Sequence, residues 1–159
     1  MLAGPLFRCL TCDLVFRDPM PDAESLANAY RSIPVGSWSY NEPAHWALSR
    51  DAINRLAPNR EVLDVGCFRG DFLEFLGPDF QRFGIEPNPD AAAVTRKRGI
   101  EIIGESAEQD FSAYRGRFGA IVLMAVVEYL HRPRDVLREL KKLLAPRGLL
   151  ILFTGDACT

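Results

Sequence analysis

EVLDVGCFRGDFLEFL, running from Glu61 to Leu76 and followed by Phe83-Gly84-Ile85-Glu86, is the part of the chain that decides the fold. Val62, Leu63 and Val65 make a short apolar run with no helical period, closed by charge on one side and by Gly66 on the other, as in a strand buried on both faces. Gly66 and Gly70 bracket a tight turn. Glycine accepts positive φ and carries no Cβ, so backbone can approach a ligand at Gly66 while the next helix packs closely at Gly70. That helix is predicted from Asp71 to Leu76, with Phe72, Leu73, Phe75 and Leu76 as its apolar residues. A second strand then ends at Glu86, about 20 residues beyond the turn, where a carboxylate accepts hydrogen bonds from ribose hydroxyls. The spacing predicts a nucleoside-containing cofactor.

Asp64 bears on which cofactor. A dinucleotide site offers glycines and a helix N-terminus to a pyrophosphate, whereas Asp64 places a carboxylate near where that anion would lie. A cationic ligand suits it better. S-adenosylmethionine has a sulfonium and an ammonium group and no phosphate, so the sign of the charge favours it.

At these residues the chain resembles the class I S-adenosylmethionine-dependent methyltransferases, whose first motif is an acid, any residue, then glycines at alternate positions. Asp64, Gly66 and Gly70 match, and Phe68 stands in place of the middle glycine. A phenyl ring needs space that glycine does not, so altered or weakened cofactor binding is expected. Without the downstream continuation, Asp64-Gly66-Gly70 reads equally as an ordinary strand-to-helix turn of an α/β protein.

The continuation is present. Asn88-Pro89 is an N-cap followed by proline at the first helical position, opening a helix that Gly99 stops. Ile100 to Ile103 is a β-branched strand, and Ala120 to Met124 a further one, with Ala125 and Val126 following at the carboxyl edge where open α/β sheets bind ligands. Val136, Leu137, Leu140, Leu143 and Leu144 fall on one face of a helix from Asp135 to Leu144. Pro146-Arg147-Gly148 is read as the break before a fifth strand, Leu149 to Phe153. Strands alternating with helices imply a parallel sheet.

The resemblance covers Glu61 to Asp156 and implies an α/β, Rossmann-like, doubly wound and mainly parallel sheet of about five strands with flanking helices, lacking the usual C-terminal strands. It implies S-adenosylmethionine contacts at Asp64, Gly66, Cys67, Phe68, Gly70, Glu86 and Pro87, at Ser106 and Ala107 beside the adenine, and at Met124 and Ala125. No catalytic residue is named by it. Tyr129 stands where relatives commonly have a histidine, and His131 serves as a base only if it faces the cleft; a surface position is the reading preferred for it. Transfer by in-line attack on the sulfonium methyl can rest largely on positioning.

Residues 1–60 differ in character. Leu6-Phe7-Arg8 and Leu14-Val15-Phe16 flank Cys9-Leu10-Thr11-Cys12, the pattern of a metal knuckle on a hairpin. It resembles the second half of the zinc ribbon borne by a subgroup of small-molecule methyltransferases, which also carry a phrase like Cys12 to Pro21. Four ligands are needed and no upstream pair is present, while Cys67 and Cys158 lie at unsuitable spacings, so metal-free thiols are expected. The organisation read is a ribbon-like remnant at 1–20, a helical cap at 21–58 with Asp22–Tyr30 and Pro43–Leu56 as helices, and the cofactor core at 59–159. Tyr30, Tyr40 and His45 are lid residues by the resemblance, and core or surface aromatics otherwise. The resemblance also implies a chain shortened at both ends, with an apolar fifth-strand edge that favours self-association.

With 159 residues, 48% of them hydrophobic, and a formal net charge of −2, the chain has apolar material for one domain and no basic excess to suggest nucleic acid. Its apolar runs are strand-sized, it shows no signal-peptide pattern, and its cysteines suit a reducing compartment, so a cytoplasmic protein off the membrane is expected. The function read is methyl transfer to a small-molecule acceptor. A non-catalytic cofactor-binding or assembly module and a nicotinamide-dependent oxidoreductase are the alternatives, the latter opposed by Asp64 and the incomplete glycine set.

Overall fold

The computed structural model describes residues 5–37 and 43–155. Trp38, Tyr40, Asp156 and Cys158 lie outside them. The chain opens with an antiparallel hairpin of β1 (Leu6–Arg8) and β2 (Val15–Arg17), in which Phe7 pairs with Phe16. Cys9 and Cys12 sit in its turn, closed by Cys9 N–H to Leu14 O at 2.8 Å and Asp13 N–H to Cys9 O at 3.0 Å. Both thiols are free, and no cluster of three or more metal-ligating side chains occurs among the described residues.

Two helices follow, α1 (Ala23–Arg31) and α2 (Ala44–Leu56). Asp22 caps α1, its Oδ1 accepting Ser25 N–H at 2.8 Å. The wound core comprises β3 (Glu61–Val65), α3 (Asp71–Leu76), β4 (Gln81–Ile85), α4 (Pro89–Lys97), β5 (Glu101–Gly104), β6 (Phe118–Met124), α5 (Pro133–Leu143) and β7 (Leu144–Phe153). The five strands lie in the order β5-β4-β3-β6-β7, all parallel. After β4 and β5 are laid down on one side of β3 the chain crosses to the other, placing the switch point at the carboxyl ends of β3 and β6.

Alternation along β3 divides the core. Val62 packs with Trp46 and Ile53 of α2 and with Phe72 and Leu73 of α3, while Leu63 and Val65 pack on the opposite face with Phe83, Ile121 and the α5 residues Val136, Leu140 and Leu143. The helix α2 therefore contributes to the same core as the sheet. Trp46 meets Phe72 edge to face at 5.7 Å.

The sheet matches the predicted architecture; most boundaries differ by one or two residues, and the largest difference is at the last strand. Pro146-Arg147-Gly148 does not precede the last strand but lies within it: β7 starts at Leu144, which pairs with Phe118, and the register then shifts so that Leu149 pairs with Ala120. The intervening residues form a bulge, with Arg147 at φ +65°. A Cβ at Gly148 would lie 2.9 Å from the carbonyl oxygens of Ala145 and Phe118, so glycine is required there. Proline and glycine chemistry that reads as a stop here serves a kink inside the strand.

Candidate functional site at the carboxyl edge of the sheet

The turn after β3 is held from three sides. Gly66 and Gly70 both have positive φ, +75° and +73°. A Cβ on Gly66 would come within 2.6 Å of Val126 Cγ2, and one on Gly70 within 2.7 Å of Ile100 Cδ1. Gly66 N–H donates to Ile85 O at 2.8 Å, the Thr95 hydroxyl donates to Phe68 O at 2.7 Å, and Arg98 Nη1 donates to Arg69 O at 2.9 Å. Arg98 also bonds Asp71 Oδ1 at 2.6 Å and Glu74 at 3.1 Å, and Arg69 pairs with Asp71 at 2.8 Å. Thr95 on α4, the first helix past β4, and Arg98 at its C-cap are positioning residues that the spacing of the motif does not mark.

Phe68 adopts φ +47°, the left-handed region that favours glycine, and its side chain is buried. Its N–H donates to Glu86 Oε2 at 2.7 Å, while Glu86 Oε1 accepts Asn88 N–H at 2.8 Å. Both oxygens of the predicted ribose acid are thus oriented by backbone amides, and each keeps a lone pair for a ligand hydroxyl. Burial pushes the Glu86 carboxyl up, and the two amides partly offset it.

Asp64 stands differently. It is buried at 3% exposure, and its Oδ1 has no hydrogen-bond partner. Desolvation first, and then the nearby Glu86 charge, raise its carboxyl well above the usual carboxylate range. Asp64 takes part in no ion pair among the described residues. A buried carboxylate oxygen without a partner matches a ligand that brings a cation. Cys67 is adjacent, yet its thiol packs into the core, where a Cβ on Gly84 would meet Sγ at 2.5 Å. Only the backbone of Cys67 faces the turn, and burial together with the Asp64 and Glu86 charges raises its thiol.

The side chain of Asn88 does more than the cap expected of it. Its Oδ1 accepts Asp90 and Ala91 N–H at 3.0 Å each, and its Nδ2 reaches Tyr30 O at 3.1 Å and Ile33 O at 2.8 Å. The end of α1 is thereby tied to the β4 turn. Tyr30 also lies edge-on to Tyr129, with ring centroids 5.8 Å apart, so α1 spans the edge between the turns after β4 and β6. Burial and the neighbouring Tyr129, Glu128 and Glu86 raise the Tyr30 hydroxyl. A cavity of about 100 Å³ beneath this strap is lined by Arg31, Glu86, Pro87, Pro89, Arg96 and Glu105.

The remaining predicted positions divide. Met124 is half-buried and Ala125 exposed, with φ +54° and its N–H bonded to Phe153 O at 2.7 Å. On the adjoining strand β7, Phe153 is stacked by His45 of α2 at 3.8 Å, and burial lowers the imidazole. Ser106 is exposed and its Oγ accepts Glu108 N–H at 3.2 Å, while Ala107 leans on the α5-side core. Gln109 shapes that loop by accepting Glu105 N–H at 2.9 Å, a role the sequence does not signal. His131 is exposed, just before α5. The larger cavity, about 270 Å³, lies between the loop at 107–115 and α5 and does not include Asp64 or Glu86.

The pattern of a methyltransferase domain matches residues 37–157, most of the chain. The chain belongs to the methyltransferase domain family. It is a family of S-adenosylmethionine-dependent enzymes. Over 104 residues the chain is 35% identical to the ubiquinone biosynthesis O-methyltransferase of Caulobacter sp. strain K31, a match covering 58% of this chain and 40% of that one. Over 118 residues it is 27% identical to an uncharacterised protein of Mycobacterium tuberculosis, covering 71% and 40%. The chain thus matches about 40% of the length of these relatives. Among solved structures it is similar to CalS10, an amino pentose methyltransferase from Micromonospora echinaspora with S-adenosylmethionine bound, at TM-score 0.62 and 23% identity over 85% of this chain and 57% of that one. The PH0226 protein of Pyrococcus horikoshii has the same fold, at TM-score 0.60 and 21% identity over 79% and 64%. This methyltransferase domain presents its turn, acid and strap at one sheet edge.

Proposed function

We propose that this methyltransferase domain binds S-adenosylmethionine at the carboxyl edge of β3, β4 and β6 and serves methyl transfer to a small-molecule acceptor. The observation that carries the reading is Asp64 Oδ1, buried and without a partner beside the Gly66 turn. A cofactor with sulfonium and ammonium groups supplies the missing charge. Asp64 and the backbone of Gly66, Cys67, Phe68 and Gly70 serve the methionine end, Glu86 and Pro87 the ribose, and Ser106 and Ala107 the adenine side, with further cofactor contacts from Met124 and Ala125 at the end of β6.

When bound, the cofactor supplies an electrophilic methyl on a good, neutral leaving group. The chain's share is positioning. Asp64 fixes the cationic end, Glu86 orients the ribose while Phe68 and Asn88 amides orient Glu86, and the α1 strap excludes water above them. The acceptor reading draws on the Caulobacter relative and CalS10, both named for small-molecule chemistry. Residues 1–20 are assigned as a ribbon-like hairpin, 21–58 as the cap and 59–159 as the cofactor core, in a cytoplasmic protein.

Phe68 favours a second reading, a cofactor-binding module without turnover, since its ring occupies the glycine position of the turn. Calorimetric titration with S-adenosylmethionine, using Glu86→Ala and NAD as controls, tests the first step. Saturable binding weakened by the substitution is expected, and preference for NAD overturns the cofactor assignment. An acceptor screen then separates transfer from binding alone.

A further inference from the structure

Asp64 near the end of β3 and Glu86 just past the end of β4 lie at the carboxyl ends of adjacent parallel strands, and neither takes part in an ion pair among the described residues. Asp64 pairs across the sheet with Gly84, which has no side chain, and with the apolar Val122. The titratable group whose charge opposes ionisation of Asp64 is Glu86, just past the end of β4; the buried Cys67 thiol, itself raised, stays neutral and supplies no positive charge. Thr95, on α4, donates to Phe68 O instead. The nearest cationic side chains of the turn, Arg69 and Arg98, are engaged by Asp71 and Glu74.

The two carboxyls are not equivalent. Each Glu86 oxygen accepts a backbone N–H, which supports its negative charge, whereas Asp64 Oδ1 accepts nothing. A buried carboxyl that accepts no hydrogen bond and lies near a second buried carboxyl is the one that holds a proton more readily. The hydrogen-bond pattern assigns that proton to Asp64.

Resting on the S-adenosylmethionine reading above, we propose that Asp64 carries a proton in the cofactor-free chain and releases it when the cationic cofactor enters, so that binding and ionisation are a single event. The balance is simple. A neutral carboxylic acid plus a cationic ligand gives a carboxylate–cation contact and one proton delivered to solvent. The discrimination follows from it: a ligand without the positive charge cannot draw the proton off and leaves a buried acid unpaired.

The affinity of the full chain for S-adenosylmethionine is to be measured by calorimetry from about pH 4.5 to about pH 7, below the range in which the ligand's own α-amino group titrates, in buffers of differing ionisation enthalpy. Affinity is expected to rise by up to about tenfold per pH unit and then level, with release approaching about one proton per cofactor at the lower pH values. Asp64→Asn is expected to bind with reduced affinity and no release. Binding accompanied by no proton release anywhere in the range overturns the proposal and leaves the cofactor assignment standing, whereas a folded chain that binds no S-adenosylmethionine overturns both. Release that persists in Asp64→Asn and vanishes in Glu86→Gln also overturns it. Carbon-13 NMR of aspartate carboxyls in the unsubstituted chain keeps the question open to refutation if the variants fail to fold: one buried aspartate is expected to titrate far above the rest and to shift on adding cofactor, and an Asp64 signal ionised at low pH refutes the assignment.

Discussion

Phe68 sets two terms of opposite sign against each other. A non-glycine residue in the left-handed region costs roughly 1–2 kcal/mol, and removing a buried phenyl ring costs about 3–5 kcal/mol. Phe68→Gly is therefore expected to lower stability by roughly 1–4 kcal/mol in urea unfolding while tightening S-adenosylmethionine binding. Unchanged or weaker affinity would show that the ring is part of the site and not an obstacle in it. For Asp64 the folded-state carboxyl is raised, so its contribution to stability is complete below the ordinary carboxylate range and is lost as pH rises through the folded value. Asp64→Asn removes that loss. The cofactor-free variant is expected to have a flatter dependence of unfolding free energy on pH, with its advantage over the parent growing toward neutrality; parallel curves would contradict this. Both residues were visible in the sequence as members of a motif. Their conformations were not, because the positive φ of Phe68 and the unpartnered Asp64 Oδ1 depend on Thr95, Glu86 and Val122 across the sheet.

At the scale of elements, legibility follows the range of the interactions. β6 is a continuous apolar run buried on both faces, and β3 and β4 are buried through their carboxyl halves, so their pattern is written in adjacent residues. The strap is not so written. Its hydrogen-bonded attachment is the Asn88 amide, contacting carbonyls more than fifty positions earlier in the chain, and nothing local to α1 reports it. The bulge in β7 escaped for a related reason: only the pairing with Phe118 reveals that Leu144 already belongs to the strand. Asn88 has separable duties, and two substitutions divide them. Asn88→Ala removes cap and tether, and a loss of about 1–3 kcal/mol is expected. Asn88→Asp keeps an Oδ acceptor for the α4 cap and removes the Nδ2 donor, so most of the stability should remain while α1 detaches. Hydrogen exchange is the measurement: amides of residues 23–33 are expected to exchange faster in both variants, with β3 and β6 still protected in Asn88→Asp. Slow exchange at α1 in Asn88→Asp would mean that the Tyr30–Tyr129 contact holds the strap by itself.

At the scale of the whole molecule, one side of the sheet is left uncovered by the packing of the described residues. β7 is the last strand of the sheet, ten residues long, and among the described residues it has no strand neighbour beyond it. Leu150, Leu152 and Phe153 are exposed along it, and Leu48 and Leu56 are exposed on α2, the helix that packs on β7. An edge of this kind has unpaired backbone donors and acceptors beside apolar side chains, with none of the lysines or prolines that usually protect an edge along its Leu149–Phe153 half. Pairing of two β7 edges related by a twofold axis satisfies both the backbone groups and the apolar surface at once, since antiparallel apposition of identical strands is self-complementary. Light scattering over a concentration series is expected to show this chain moving from monomer to dimer, and Leu152→Lys, which sets like charges against each other across the new pair, is expected to shift the transition to markedly higher concentration. A monomeric mass throughout would refute the pairing. So would a dimer indifferent to Leu152→Lys, which would place the contact at another surface, with the hairpin residues Leu10 and Leu14 the next apolar candidates.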